Sequence, residues 1–289
     1  MILVTGATGH LGKETLDFLL AKTNASQIAA FVRSSEKAQL LKEKGIEIRI
    51  GDYDNYPSLV QAFAGIEKLF FVSGNDIPKR DQQHVNVINA AKEAGVKHIV
   101  YTSFQRQSEK DSSPIAIVAK THLLTEKLLK ESGLKYTILK NNMYMEGISM
   151  FIGNKVLETG TIFLPAGNGK ASYALRTDMA EASTNILLSG GHENKAYEFS
   201  GTQSYSFTDV ADILTELSGK KISYIDPAPE NFTSELAKGG VPASVIGVIA
   251  AFCEGIKQGE FDLPDTAMEK ILGRKPVALK DYLKKTYSL

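Results

Sequence analysis

The chain has 289 residues, of which 43% are apolar and 23% are charged. These fractions match ordinary globular domains and argue against a disordered or fibrous chain, and the length suits one large or two modest domains. Lys plus Arg and Asp plus Glu both number 33, so the formal net charge is zero. That balance gives no indication of a nucleic-acid partner or of an anionic membrane surface.

The first half of the chain alternates strand and helix patterns. Apolar runs of strand length occur at 2–5, 28–32, 46–50, 69–72, 97–102 and 136–139. Helical spacing of apolar residues occurs at 11–20, 35–44, 56–64, 81–94 and 119–132. Six strands that alternate with helices through short connections predict an α/β fold of the Rossmann type. In this fold a doubly wound parallel sheet carries helices on both faces.

After about residue 145 helix patterns dominate. They occur at 146–158, 178–189, 206–218, 230–238, 242–257 and 278–286, with short strand patterns at 161–164, 196–200 and 221–224. We therefore predict a cofactor-binding domain over 1–145 and a smaller, mostly helical substrate-binding lobe over 146–289. One or two strands of the second lobe are expected to return to the first domain.

A glycine-rich segment directly follows the first strand and opens the first helix: Gly6-Ala7-Thr8-Gly9-His10-Leu11-Gly12. The first glycine permits a tight turn, the second lets the backbone approach a pyrophosphate, and the third lets helix and strand pack closely. Amide groups at the helix N-terminus bind phosphates. This strand–turn–helix context predicts dinucleotide binding by residues 6–11, and a purely structural tight turn is the alternative.

The ends of the next three strands indicate which dinucleotide binds. Arg33 stands where an acidic residue would hold the ribose 2′-hydroxyl of NADH, and a guanidinium instead binds the 2′-phosphate of NADPH or NADP+. A solvated arginine is the alternative. Asp52 follows the third strand and is placed to accept from the adenine amino group. Ser73, Gly74 and Asn75 follow the fourth strand, where small side chains let the cofactor pass.

The chain resembles the NmrA-like atypical short-chain dehydrogenases over nearly its whole length. The residues that carry the resemblance are GATGHLG at 6–12, Arg33, GDY at 51–53, AAKEAGVK at 90–97, YTS at 101–103, KNNMY at 140–144 and RTDMA at 176–180. GHENK at 191–195 and LSGKK at 217–221 resemble one branch of this family, the bacterial type 2 quinone oxidoreductases and triphenylmethane reductases.

The resemblance implies an enzyme that transfers hydride from NADPH to quinones or related small aromatic acceptors, without flavin or metal. It also implies that the nicotinamide lies near 73–75, Thr102, Asn141, Asn142 and Met143. Arg176 stands before a predicted helix of the second lobe. It either ties that lobe to the cofactor or forms a structural salt bridge.

Many short-chain dehydrogenases use a Tyr-x-x-x-Lys pair, which is absent here because Ala116 stands four residues before Lys120. A related group of reductases places a lysine on this helix, and the equivalent count ends at His122. A quinone gains negative charge on oxygen, so we predict His122 and the hydroxyl of Tyr144 as donors to it. Phe104 and Tyr144 are predicted to bind the aromatic substrate. A helix-surface histidine and packing between the lobes are the alternatives.

Two other functions are open at this point. One is an NADP(H)-binding redox sensor that signals through a protein partner without turnover. The other is a sugar-nucleotide epimerase, against which the missing tyrosine base argues. The histidines lack metal-ligand spacing, so no metal is expected. The single Cys253 lies in an apolar stretch, which predicts a buried thiol in a reducing, cytoplasmic compartment. A monomer and a homodimer are both possible.

Overall fold

A computed structural model describes residues 1–289, except for the side chain of Lys37. Its strands are β1 (Ile2–Val4), β2 (Ile28–Val32), β3 (Glu47–Ile50), β4 (Lys68–Phe71), β5 (His98–Phe104), β6 (Lys135–Asn141), β7 (Thr161–Phe163), β8 (Lys195–Phe199) and β9 (Ser223–Ile225). Seven of these strands form a parallel sheet in the order β3-β2-β1-β4-β5-β6-β8. This arrangement confirms the predicted Rossmann-type α/β fold.

Thirteen α-helices accompany the strands in the described part of the chain. They are α1 (His10–Lys22), α2 (Gln39–Glu43), α3 (Tyr56–Phe63), α4 (Arg80–Glu93), α5 (Ala116–Glu131), α6 (Glu146–Ile152), α7 (Val156–Thr159), α8 (Arg176–Leu188), α9 (Phe207–Ser218), α10 (Pro229–Lys238), α11 (Ala243–Lys257), α12 (Ala267–Leu272) and α13 (Leu279–Thr286). None of these helices has both the length and the apolar character that crossing a membrane requires.

Successive side chains of a strand point to opposite faces of the sheet. Both faces are buried, because helices cover each of them. One face, which includes Val4, Phe70 and Val100, forms a core with apolar residues of α1 and α8. The other face, which includes Phe71 and Tyr101, forms a separate core with α3, α4 and α5. The strand order reverses between β1 and β4, and ligands bind outside the carboxyl ends of strands at such a point.

The second half of the chain contributes to two regions. Strand β8 extends the large sheet beside β6, and α8 packs against α1. The remaining segments enclose a third core around the small parallel pair β7–β9, with buried side chains from α6, α9, α11 and α13. A strand from the second half of the chain thus lies in the large sheet. The division of the chain at residue 145 stays a prediction. The thiol of Cys253 is buried in this third core, as predicted.

Three elements of the structure differ from the prediction. The helix expected over 146–158 is interrupted at Gly153, whose φ of 77° ends α6 in a conformation that favours glycine. The strand expected over 221–224 begins two residues later, as β9. Helix α12 was not predicted, because it has six residues and is too short to show a helical period.

The packing of α1 on the glycine turn depends on Gly12. A Cβ at this position would lie 2.3 Å from the carbonyl oxygen of Gly6, so a side chain would force the helix away from the turn. We expect Gly12→Ala to lower the free energy of unfolding by about 1–3 kcal/mol, the usual cost of overpacking, in urea unfolding followed by circular dichroism. Gly247→Ala is the control, because a Cβ in the middle of α11 would meet no atom within 4 Å. It should stabilise the protein by about 0.5–1 kcal/mol. Equal stability of Gly12→Ala and the unchanged protein would contradict this account.

Candidate functional site

The glycine turn leaves the start of α1 open. Gly6 has a φ of 61°, and the amide of Gly9 donates to the carbonyl oxygen of Gly6 at 2.9 Å. Gly9 is the N-cap of α1 and supplies no side-chain acceptor, so the first-turn amides have no capping partner among the described residues. The side chains of Ala7 and Leu11 are buried, whereas Thr8 and His10 are exposed. The predicted residues 6–11 therefore form one exposed turn that offers backbone donors.

The turn is tied to the end of β4. The Thr5 hydroxyl donates to the carbonyl oxygen of Phe70 at 3.2 Å and accepts from the amide of Val72 at 2.9 Å. The hydroxyl of Tyr53, on the loop after β3, donates to the carbonyl oxygen of Val72 at 3.1 Å. These contacts hold the carboxyl ends of β1, β3 and β4 together.

The segment 73–75 is held by side chains from two other elements. The amide of Ser73 donates to the hydroxyl of Thr102 at 2.9 Å, and the amide of Gly74 donates to Nε2 of His84 at 3.1 Å. Nδ1 of His84 lies 2.8 Å from the hydroxyl of Thr125, which itself donates to the carbonyl oxygen of Thr121. That hydroxyl is therefore the acceptor for Nδ1–H. Thr102 and Ser73, two of the predicted cofactor residues, are thus in direct contact, whereas His84 was not recognised in the sequence.

His84 is neutral in this position. Burial, and then the positive charge of Arg80, lower the pKa of His84 from 6.5 to about 3. The neutral ring keeps Nε2 free to accept from Gly74, which a protonated imidazole could not do. The loop geometry at the end of β4 thus depends on an uncharged histidine.

Arg33 and Asp52 lie at the ends of neighbouring strands β2 and β3. The side chain of Arg33 is exposed and forms no ion pair with the described residues. Asp52 is half-buried, and its Oδ1 accepts from the amide of Asp54 at 2.9 Å. The Arg33 guanidinium is therefore available to an external anion, while one oxygen of Asp52 is already used in its own turn.

The three predicted residues at the end of β6 are in different surroundings. Asn142 donates to Oε1 of Gln105 and to the carbonyl oxygen of Phe261, and its own Oδ1 accepts from the amide of Met143 at 2.6 Å. Met143 is buried in the third core. By contrast, Oδ1 of Asn141 is buried without a hydrogen-bond partner among the described residues. An unpaired buried acceptor of this kind fits a donor group on a ligand.

Tyr144 and Arg176 lie against each other. The guanidinium carbon of Arg176 is 4.5 Å from the centre of the Tyr144 ring, a cation–π contact. The amide of Arg176 donates to a carboxylate oxygen of Glu146 at 3.1 Å. Burial raises the pKa of Tyr144, so the hydroxyl keeps its proton at neutral pH. Arg176 thus joins α8 to the end of β6 through an aromatic ring.

His122 is buried, with 5% of its surface exposed, so it is not a helix-surface histidine. Its Nδ1 lies 2.7 Å from the hydroxyl of Tyr101. Burial, followed by the charges of Arg80, His84 and Arg106, holds its pKa well below 6.5. The His122 ring is therefore neutral at neutral pH, and it cannot act there as an imidazolium acid.

Phe104 belongs to a group of rings that we name the aromatic cluster: Phe104, His122, Phe252 and Phe261. The Phe104 ring centre lies 5.9 Å from His122, 6.1 Å from Phe252 and 5.6 Å from Phe261. Phe252 and Phe261 come from the second half of the chain and were not recognised in the sequence. The cluster brings β5, α5 and α11 together around half-buried apolar surface.

A buried ion pair fixes the backbone beside this cluster. Nη1 of Arg106 donates to the carbonyl oxygen of Phe104 at 2.8 Å and to Oε1 of Glu126 at 2.9 Å. Glu126 also accepts from the hydroxyl of Ser103. Although burial raises it, the contact with Arg106 brings the pKa of Glu126 below its usual value, so the pair stays ionised.

These features fit a dinucleotide. The exposed amide groups at the start of α1, the open guanidinium of Arg33 and the unpaired Oδ1 of Asn141 all lie at the carboxyl ends of parallel strands. In the described part of the chain no three metal-ligating side chains cluster. The site therefore offers hydrogen-bond donors that can bind phosphates, and aromatic rings on which a flat molecule can stack.

Comparison with known proteins agrees with this fit. The model of the NmrA-like family matches residues 1–286. Quinone oxidoreductase 2 of Escherichia coli (strain K12) is 37% identical over 281 residues, which cover 97% of this chain and 96% of that protein.

Two solved structures are similar over almost their whole length. The NADPH-dependent quinone oxidoreductase of Escherichia coli in complex with NADPH has a TM-score of 0.93 at 36% identity, covering 99% of this chain and 100% of that one. Triphenylmethane reductase of Citrobacter sp. has a TM-score of 0.92 at 38% identity, covering 100% of this chain and 99% of that one.

Buried neutral histidines make the stability of the fold depend on pH. Burial lowers the pKa of His84 to about 3 and that of His98 to about 4, from 6.5 in each case, and the pKa of His122 also lies well below 6.5. The unfolded chain therefore binds more protons than the folded chain below pH 6.5. We expect the free energy of unfolding to fall, from pH 6.5 towards pH 4.5, by about 1.4 kcal/mol per pH unit for each of these histidines.

Urea unfolding at pH 7 and pH 5 measures this slope. His84→Gln should remove the contribution of one histidine, whereas His10→Gln, which changes an exposed side chain, should leave the slope as it is. A stability that does not change over this range would show that the buried rings carry charge.

Proposed function

This chain belongs to the NmrA-like family, and we propose that it is an NADPH-dependent oxidoreductase that transfers hydride to quinones and related small aromatic acceptors. One observation carries the proposal. The glycine turn and the strand that carries Phe104 are both bonded to the segment after β4: the Thr5 hydroxyl accepts from the amide of Val72, and the Thr102 hydroxyl accepts from the amide of Ser73. Phe104 follows on the same strand, two residues further on.

The cofactor residues divide by the part of the dinucleotide that they would hold. The first-turn amides of α1 are assigned to the pyrophosphate and Arg33 to the 2′-phosphate. The segment 73–75 and Thr102 are assigned to the nicotinamide end, where Oδ1 of Asn141 would accept from an amide donor. Asn142 and Met143 are assigned to the wall of the cofactor site, because their side chains and backbone amides are engaged within the protein. Bound NADPH supplies the hydride.

The residues of the chain orient the acceptor and stabilise the charge that it gains. A flat ring that stacks on Phe104 would lie next to His122 and within the aromatic cluster. Orientation alone supplies a large part of such a rate enhancement. His122 and the protonated hydroxyl of Tyr144 are assigned as donors to the acceptor oxygen.

The setting of the protein is also part of the proposal. The one thiol, Cys253, is buried, and its burial raises its pKa to about 12, which fits a cytoplasmic protein without disulfides. A small aromatic molecule is the proposed partner. We assign neither a nucleic acid nor a membrane as a partner. The proposal holds for a monomer and for a homodimer.

The first test is the oxidation of NADPH by purified protein, followed by its absorbance. The acceptors are 1,4-benzoquinone, a naphthoquinone and a triphenylmethane dye, with a buffer blank. We expect absorbance to fall only when an acceptor is present. Binding of NADPH without turnover on any acceptor would instead favour the redox sensor.

Gly9→Asp tests whether the glycine turn binds the phosphates of NADPH. Gly9 has the extended backbone of an N-cap, with φ −86° and ψ 170°, so an aspartate there can cap α1. Its Cβ would lie 3.2 Å from the carbonyl oxygen of Gly6, a close contact that offsets the capping gain, so stability should change little. The same carboxylate occupies the amide groups and repels a phosphate. NADPH binding should therefore weaken while the fold is kept, and unchanged NADPH affinity would contradict the assignment of the turn.

The choice between NADPH and NADH is assigned to Arg33. Arg33→Glu replaces an attraction for the 2′-phosphate with a repulsion, so we expect the Kd for NADPH to rise about 10–100-fold and the Kd for NADH to change little. Fluorescence titration with both cofactors measures this shift. Lys285→Glu is the matched control, because it reverses an exposed charge on α13. If Arg33→Glu and Lys285→Glu bound NADPH equally well, the assignment of Arg33 would be wrong.

A further inference from the structure

Tyr101 and His122 form a hydrogen-bonded pair beneath the aromatic cluster. The hydroxyl of Tyr101 lies 2.7 Å from Nδ1 of His122, and this nitrogen is its one hydrogen-bond partner among the described residues. The Tyr101 side chain has no exposed surface, and the rings of Phe71 and His84 pack on it. Nδ1 of His122 is therefore the one acceptor in hydrogen-bond geometry for the hydroxyl hydrogen, and the hydroxyls of Ser73 and Thr125 also lie near the Tyr101 oxygen.

This arrangement selects one tautomer of His122. If Nδ1 carried the hydrogen and donated it to Tyr101, the hydroxyl hydrogen would have no acceptor in good geometry and would have to turn toward Thr125 or Ser73. If Tyr101 donates instead, Nδ1 accepts and the ring hydrogen resides on Nε2. Only the second arrangement satisfies both groups.

Nε2 of His122 makes no hydrogen bond to any described residue. It is not among the buried polar atoms that lack a partner, so it keeps contact with solvent. The His122 ring lies 5.9 Å from Phe104, which is half-buried. The free N–H is therefore at the surface where the acceptor is proposed to stack.

We propose that Tyr101 is a positioning residue that fixes His122 in the tautomer with the proton on Nε2. We further propose that this Nε2–H donates a hydrogen bond to the oxygen of the quinone as it is reduced. This inference rests on the proposed function. It assigns Tyr101 a role and gives His122 a defined donor atom.

The chemical step balances without a charged histidine. Hydride adds to one oxygen of the quinone, and the π electrons shift through the ring to the other oxygen, so the product is the monoanion of a hydroquinone. Nε2–H donates to this oxygen but keeps its proton, and the proton that completes the hydroquinone comes from solvent. Tyr101 contacts His122 directly, and the charges of Arg80 and Arg106 act on the His122 ring. The two arginines disfavour an imidazolium and favour the negative oxygen.

His84 provides an internal reference, because its tautomer is the opposite one. Its Nε2 accepts from the amide of Gly74, so its hydrogen resides on Nδ1. Nitrogen-15 NMR of the full-length protein, labelled in histidine, distinguishes the two forms by ring-nitrogen shifts. We expect Nε2–H for His122 and Nδ1–H for His84. An Nδ1–H form of His122 would overturn the inference.

Tyr101→Phe removes the hydroxyl and keeps the ring. We expect the His122 signals to change from Nε2–H to a mixture of tautomers, with those of His84 unchanged, and kcat for benzoquinone to fall about two- to tenfold at constant Kd for NADPH. Tyr56→Phe is the matched control, because it removes a hydroxyl that bonds Glu93 outside the site. An unchanged His122 tautomer in Tyr101→Phe would also overturn the inference, and a merely structural role for Tyr101 would not alter the tautomer.

Two substitutions of His122 test the donor itself. His122→Leu should lower kcat for benzoquinone about 10–100-fold, and His122→Gln, whose amide N–H reaches the position of Nε2, should recover most of this loss. An unchanged kcat in His122→Leu would overturn the donor role while leaving the reductase in place. Failure of the proposed function is seen separately, as the absence of turnover by the unchanged protein.

Discussion

The site is organised by the hydrogen bond from the amide of Gly74 to the neutral ring of His84. This bond begins a chain that continues through the hydroxyl of Thr125 to the backbone carbonyl of Thr121. It therefore connects the loop after β4 to α4 and α5, the two helices that cover that side of the sheet. Because these hydrogen bonds join buried atoms, the loop cannot move without leaving a polar group unpaired in the core.

The same series of hydrogen bonds explains why a histidine is buried beside the loop after β4. A glycine at position 74 allows close approach, since a Cβ there would meet Oε1 of Gln83 at 3.1 Å. A backbone amide so close to the helices needs an acceptor, and a neutral imidazole is one of the few that also donates from its other side. Arg80 on the same helix adds a positive charge that disfavours the imidazolium.

The ion pair of Arg106 and Glu126 holds the backbone beside Phe104, because Arg106 also donates to the carbonyl oxygen of Phe104. Such pairs contribute little net stability, but they restrict the backbone that they contact.

The sequence predicts the parts of this arrangement that depend on local pattern. The apolar runs and the glycine turn at residues 6–12 determine the parallel sheet and the open end of α1, because both follow from residues close together in the chain. The aromatic cluster is different, since Phe104 and Phe252 are far apart in sequence and meet only through the third core. His84 was missed for the same reason: its partners Gly74 and Thr125 lie on other elements, and no helical period marks them. Short helix α12 has too few residues to produce a period.

The two buried histidines of the site differ in how their ring nitrogens are used. His84 accepts from the amide of Gly74 in the loop after β4 and donates to Thr125, so both of its nitrogens are used by the fold. His122 uses one nitrogen inward, on Tyr101, and leaves the other without a protein partner. An imidazole that is neutral and bonded on one side has a defined hydrogen on the other, so burial itself creates a directed donor. A lysine at position 122 would offer a charge but no such fixed direction. A neutral donor suits an acceptor that needs stabilisation of developing charge more than it needs a strong acid.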